Sequence, residues 1–144
     1  MVSTAPAPGS SSTTGADATR RVVIGLEVLL AVAAFGGSWA LVSNTVDASS
    51  YVSEIPFSST VFGGLALAVV VAIPATVAAA AGLTHRTWSR PAHLTAGALL
   101  MVWIVVEVIY IGLTSWLQPV MFAWGAAIVL LGSRVPKGPV GRPD

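Results

Sequence analysis

The sequence predicts an all-α membrane protein, a transmembrane four-helix up-down bundle with both termini on the cytoplasmic side. Three observations carry that expectation. Only 9% of the 144 residues are charged and 55% are apolar, whereas a soluble domain carries about 25% charged residues. Four apolar runs approach or reach the ~20 helical residues needed to cross a hydrocarbon core of about 30 Å. The seven basic residues fall only in the two tails and the middle connection, which a four-span chain places on one side.

Residues 1–19, MVSTAPAPGSSSTTGADAT, are built mainly from Ser, Thr, Ala, Pro and Gly. They bury too little apolar surface to offset the entropy of ordering, so a disordered cytoplasmic tail is expected. Arg20 and Arg21 open the membrane domain, residues 20–133, whose first span covers about 22–42. That run exceeds the roughly 7–15 residues of a signal-peptide core and holds Glu27, so it reads as a retained span.

Residues 43–59, SNTVDASSYVSEIPFSS, contain Asp47 and Glu54 but no base. They form the outer connection, where Tyr51 and Phe57 suit a partly ordered cap at the water boundary. The second span covers about 60–83 and the third about 93–114. SWLQP, residues 115–119, is a hinge into a short fourth span over about 116–132. Residues 134–144 mix Pro and Gly with Arg134, Lys137 and Arg142, and an irregular basic cytoplasmic tail is expected there.

Orientation follows from charge. Arg20, Arg21, Arg86, Arg90, Arg134, Lys137 and Arg142 share one side, which the positive-inside rule makes cytoplasmic. The expected location is the cell membrane, crossed several times.

A charged side chain at a span's centre costs roughly 2.5–3.5 kcal/mol on insertion scales. The two acids inside the spans, Glu27 and Glu107, are therefore the candidates for a polar site. At 1.5 Å per residue, Glu27 lies roughly 9 Å from the cytoplasmic side and Glu107 roughly 10 Å from the outer side. The resulting separation of about 12 Å along the normal excludes a carboxylate pair sharing one proton. Glu107 shares a helix face with Trp103 at i−4 and Tyr110 at i+3. It is expected to point into the bundle against Gly36, Gly37, Gly63 and Gly64, where helix backbones can approach closely. Glu27 is expected beside Thr76 and beside Pro74, whose missing N–H frees the Val70 carbonyl. The candidate intramembrane site is thus Glu107, Trp103, Tyr110 and Glu27. For both acids, hydrogen bonding between helices competes with proton or cation handling.

His85 and His93 are read at the cytoplasmic edge, so no span offers an axial ligand for haem. There is no Cys, which removes thiolate metal sites and thiol chemistry. No cofactor, metal or catalytic residue is expected, and no enzyme activity. The paired glycines lie inside spans without the Lys and turn of a phosphate loop. The partners expected are the lipid bilayer, anionic headgroups at the basic loops, and a membrane-protein partner or further copies of the chain, with no nucleic acid.

PFSSTVFGG (56–64), WIVVEV (103–108) and SWLQP (115–119) resemble the recurring pattern of a family of small four-helix integral membrane proteins of bacteria, with an actinobacterial cast. Six arginines against one lysine agree with a high-GC genome. The resemblance covers residues 22–132 and implies the four-helix plan without an activity. More loosely, the plan is similar to that of DoxX-type proteins. Small multidrug-resistance transporters also carry a glutamate in the first of four spans, but Glu27 lies nearer the cytoplasmic edge and the charge bias opposes dual topology. The functional expectation is an accessory or interaction protein with a buried intramembrane glutamate. The alternative is a small oligomeric proton-coupled transporter or channel.

Overall fold

The computed structural model describes residues 10–45 and 59–136, with side chains described from Gly15 onward. Asp47, Tyr51, Glu54 and Phe57 of the outer connection, and Lys137 and Arg142 of the tail, lie outside the described residues. The described chain is all helical, with four helices long and apolar enough to cross a membrane. These are α1 (Ser10–Val42), α2 (Thr60–Leu83), α3 (Ser89–Ile111) and α4 (Leu117–Arg134). Neighbours in sequence pack side by side, and α4 closes the ring on α1. Helices α1 and α3 therefore face each other across the diagonal. Arg20, Arg21, Arg86, Arg90 and Arg134 all lie at one end of the bundle, called the basic end below.

Helix α1 begins at Ser10, inside the segment that composition alone reads as a disordered tail. Once the apolar run has nucleated a helix, each added residue gains a hydrogen bond for one residue fixed. Thr19 Oγ1 also donates to the Gly15 carbonyl at 3.0 Å. At its far end α1 stops at Asn44, whose φ of 51° breaks the helical path. Thr60 Oγ1 donates to Asn44 Oδ1 at 3.0 Å, tying the end of α1 to the start of α2. Ser59 caps α2 by accepting from the Phe62 N–H.

Proline shapes α2 and α3 differently. In α2, residues Ala68–Ala72 form a π turn, in which the Ile73 N–H reaches back to the Ala68 carbonyl. Pro74 follows directly, with no N–H to continue the ordinary ladder. In α3, Pro91 sits in the first turn, where the N–H has no intrahelical partner to lose. Helix α3 consequently starts at Ser89 rather than near His93, and His93 lies one turn inside it.

The turn between α3 and α4 is closed by one side chain. Gly112 takes a left-handed φ of 73° and ends α3. Gln118 Oε1 accepts from the Thr114 and Ser115 N–H groups at 3.2 and 3.4 Å, and Nε2 donates to the Gly112 carbonyl at 3.1 Å. The hinge SWLQP is thus a turn clasped by its own glutamine.

The interior is made of small and medium side chains. Leu30, Ala31 and Ala34 of α1 meet Val71, Ala72 and Ala75 of α2, Leu100 and Ile104 of α3, and Ile128 of α4. Helices α3 and α4 cross so closely that a Cβ on Gly97 would lie 2.8 Å from the Gly125 carbonyl oxygen. Large apolar side chains such as Leu29, Val32, Ile109 and Leu130 point outward. A soluble protein would hide these; a bilayer solvates them.

Candidate functional site

Inside the basic half of the bundle, His93 Nδ1 and Glu27 Oε1 are hydrogen-bonded at 2.7 Å. Both side chains are 0% exposed. Glu27 belongs to the buried stripe of α1, with Val23 at i−4, Leu30 and Ala31 at i+3 and i+4, Ala34 at i+7 and Ser38 at i+11. Glu27 therefore meets His93 across the diagonal, rather than the Val70 carbonyl and Thr76 that the sequence suggested. Thr76 Oγ1 instead donates to the Ala72 carbonyl of its own helix. The levels agree: Glu27 lies roughly 9 Å past Arg21 and His93 roughly 6 Å past Ser89, a gap that two long side chains can span.

Two glycines make room for the imidazole. A Cβ on Gly132 of α4 would lie 2.8 Å from His93 Cβ, and one on Gly82 of α2 would lie 3.0 Å from His93 Cε1. The ring is thus seated between α2 and α4 while its Nδ1 reaches α1. With one proton between Nδ1 and Oε1 and a second on Nε2 the pair is electrically neutral, which is how two ionisable groups can share an apolar interior. Glu27 Oε2 and His93 Nε2 are buried and have no hydrogen-bond partner among the described residues. The pair can therefore clamp α1 to α3, and it can also accept or release a proton through those two atoms.

A second polar contact lies closer to the basic end on the same face of α1. Arg20 Nη1 donates to His85 Nδ1 at 2.6 Å, joining α1 to the connection between α2 and α3. Arg20 precedes Glu27 by two helical turns. Beyond Glu27 the column ends at Leu30, Val71, Leu100 and Ile128, all nearly or fully buried.

None of the comparisons with family models, curated proteins and solved structures returns a match.

Of the residues singled out by sequence, Glu107 and Trp103 come together: Trp103 Nε1 donates to Glu107 Oε1 at 2.6 Å, along one face of α3. Glu107 is half-buried, not enclosed. Its expected glycine surround is used elsewhere. Gly64 packs on the Ser38 carbonyl, Gly37 touches Leu67, and Gly36 is exposed with open space beside it. Both close contacts belong to the pairing of α1 with α2. The pairing of α3 with α2 is carried mainly by residues 68–83, so the first turns of α2 do not enclose Glu107. Tyr110 is exposed on the flank, and Glu27 belongs to the other half of the bundle. His93 was the residue missed. The available signal was a proline suited to a helix's first turn, which moves the start of α3 back to Ser89.

Proposed function

We propose that this chain is a multi-pass protein of the cell membrane that acts as an accessory or interaction protein, not as an enzyme. Its basic end faces the cytoplasm, in keeping with the positive-inside rule. The observation that supports this reading is Glu107, a carboxyl left half-exposed on the bundle's flank and, among the described residues, hydrogen-bonded only to Trp103 of its own helix. An acid facing lipid is costly, and one hydrogen bond within a membrane offsets only about 0.6 kcal/mol on average. A donor on a partner helix, or on a second copy, would complete the carboxyl's hydrogen bonding. Val106 and Tyr110 lie beside it on the exposed surface and would form the apolar part of the contact.

The test is crosslinking in native membranes from single cysteines placed at Val106 and Tyr110, with a membrane-permeant bifunctional reagent. Adducts are expected for the parent, and their loss is expected for Glu107→Leu with unchanged bundle stability. Absence of adducts, or adducts indifferent to Glu107, would contradict the reading. Orientation is tested separately with a reporter fused after Asp144, which should be active only inside the cell.

A second reading, a small proton-coupled transporter, is favoured by the unpartnered Oε2 and Nε2 of the Glu27–His93 pair. Proton flux in reconstituted vesicles, abolished by Glu27→Gln in a folded protein, would replace the first reading with this one.

A further inference from the structure

A groove of about 290 Å³ runs down the outside of the bundle between α2 and α3, lined by Pro74, Val77, Trp88, Pro91, Ala92 and Thr95. Its lining is almost wholly apolar, and it opens sideways from the bundle. Trp88, just before α3, and Pro91, Ala92 and Thr95 of α3 recur at the spacing of one helix face, with the small Ala92 half-buried among larger neighbours. On α2 the facing wall is Pro74 and Val77, just beyond the π turn.

The groove's depth matches one leaflet. Thr95 lies roughly 9 Å beyond the start of α3, and Pro74 roughly 14 Å from the end of α2 at Leu83. Half of a hydrocarbon core of about 30 Å is about 15 Å. The groove therefore runs from the interface, where the Trp88 ring sits, to near the midplane. That is the track of a single acyl chain.

The charge at its mouth selects the headgroup. Arg86 lies in the short connection joining the two walls of the groove and is exposed. Arg21, Arg90 and Arg134 add positive charge at the same end, while Asp17 is the one acid there among the described residues. A basic rim above an apolar track fits an amphiphile that is anionic at the interface and aliphatic below it. We infer that the α2–α3 groove is a binding site for one anionic phospholipid, with an acyl chain against Ala92 and Pro74 and the phosphate at Arg86.

The experiment is native mass spectrometry of the full chain released from vesicles containing equal phosphatidylglycerol and phosphatidylcholine with identical chains. One retained lipid per chain is expected, with phosphatidylglycerol favoured about fivefold, the effect of one basic contact at a membrane surface. Arg86→Gln should remove that preference while leaving chain occupancy. Ala92→Phe, which fills the track, should reduce retention of both lipids; Thr95→Trp, on the exposed rim, does the same should the first variant fold poorly. Equal retention of both lipids by the parent would overturn the inference. So would a phosphatidylglycerol preference that survives Arg86→Gln, or retention indifferent to filling the groove, since either places the lipid elsewhere.

Discussion

Glu27 of α1 and His93 of α3 are joined at 2.7 Å through the middle of the bundle, although they sit on helices that are not neighbours. Among the described residues, side-chain hydrogen bonds between other elements join neighbours in the ring, as Ser38 Oγ to the Gly64 carbonyl does. The pair therefore fixes the diagonal distance that the ring of neighbour contacts leaves free.

A double-mutant cycle should expose this coupling. Glu27→Leu and His93→Leu each leave a buried polar group without its partner, at a cost of about 1–3 kcal/mol. The double variant removes both groups together and should cost less than the sum, with a coupling of about 1 kcal/mol. Reversible unfolding in mild detergent measures the cycle, and simple additivity would count against the clamp.

Gly132 should tolerate no side chain while His93 is present. Gly132→Ala places a methyl group 2.8 Å from His93 Cβ, and overpacking of this kind costs about 1–3 kcal/mol. His93→Ala retracts most of the ring but keeps Cβ, so His93→Gly is the compensating change to test. In the His93→Gly background, the loss caused by Gly132→Ala should shrink, and an undiminished loss would show that the crowding arises elsewhere.

The clasp in the α3–α4 turn is the next target. Gln118→Leu keeps the bulk but removes both acceptor bonds and the donor bond to Gly112. The unpaired backbone groups are expected to lower stability by about 1–2 kcal/mol, less than full burial would cost because the turn borders water. A Leu variant as stable as the parent would mean that the turn closes without its glutamine.

Much of this was legible in the sequence, and the residues explain where legibility ended. Four apolar runs separated by turns specify four helices directly, and Trp103 and Glu107 meet because i and i+4 on a helix are neighbours. The Glu27–His93 pair depended on two facts that one-dimensional reading supplies poorly. One is that Pro91 begins a helix rather than preceding it, which moves His93 from the edge into the interior. The other is which helices face each other across the diagonal. Gly36, Gly37, Gly63 and Gly64 lie at the right depth for Glu107, but Gly37 and Gly64 are turned to the α1–α2 contact and Gly36 to the outside. Depth can be counted from residue number; rotation about the helix axis is set by packing.

For Glu107, charge rather than shape should matter. Glu107→Gln keeps the acceptor for Trp103 Nε1 and should melt within about 0.5 kcal/mol of the parent. Glu107→Lys removes that acceptor and places a cation within the span, so lower yield and a loss of about 1–3 kcal/mol are expected. Measured expression and melting of the two variants in parallel decide this, and equal behaviour would mean that the side chain reaches water.

The most direct measurement of the central claim is magnetic-resonance dipolar recoupling in lipid bilayers, between the side-chain carboxyl carbon of Glu27 and the Nδ1 nitrogen of His93. A hydrogen bond of 2.7 Å requires a strong contact between them, and that contact should vanish in Glu27→Leu. A folded four-helix protein in bilayers that shows no Glu27–His93 contact would contradict the account.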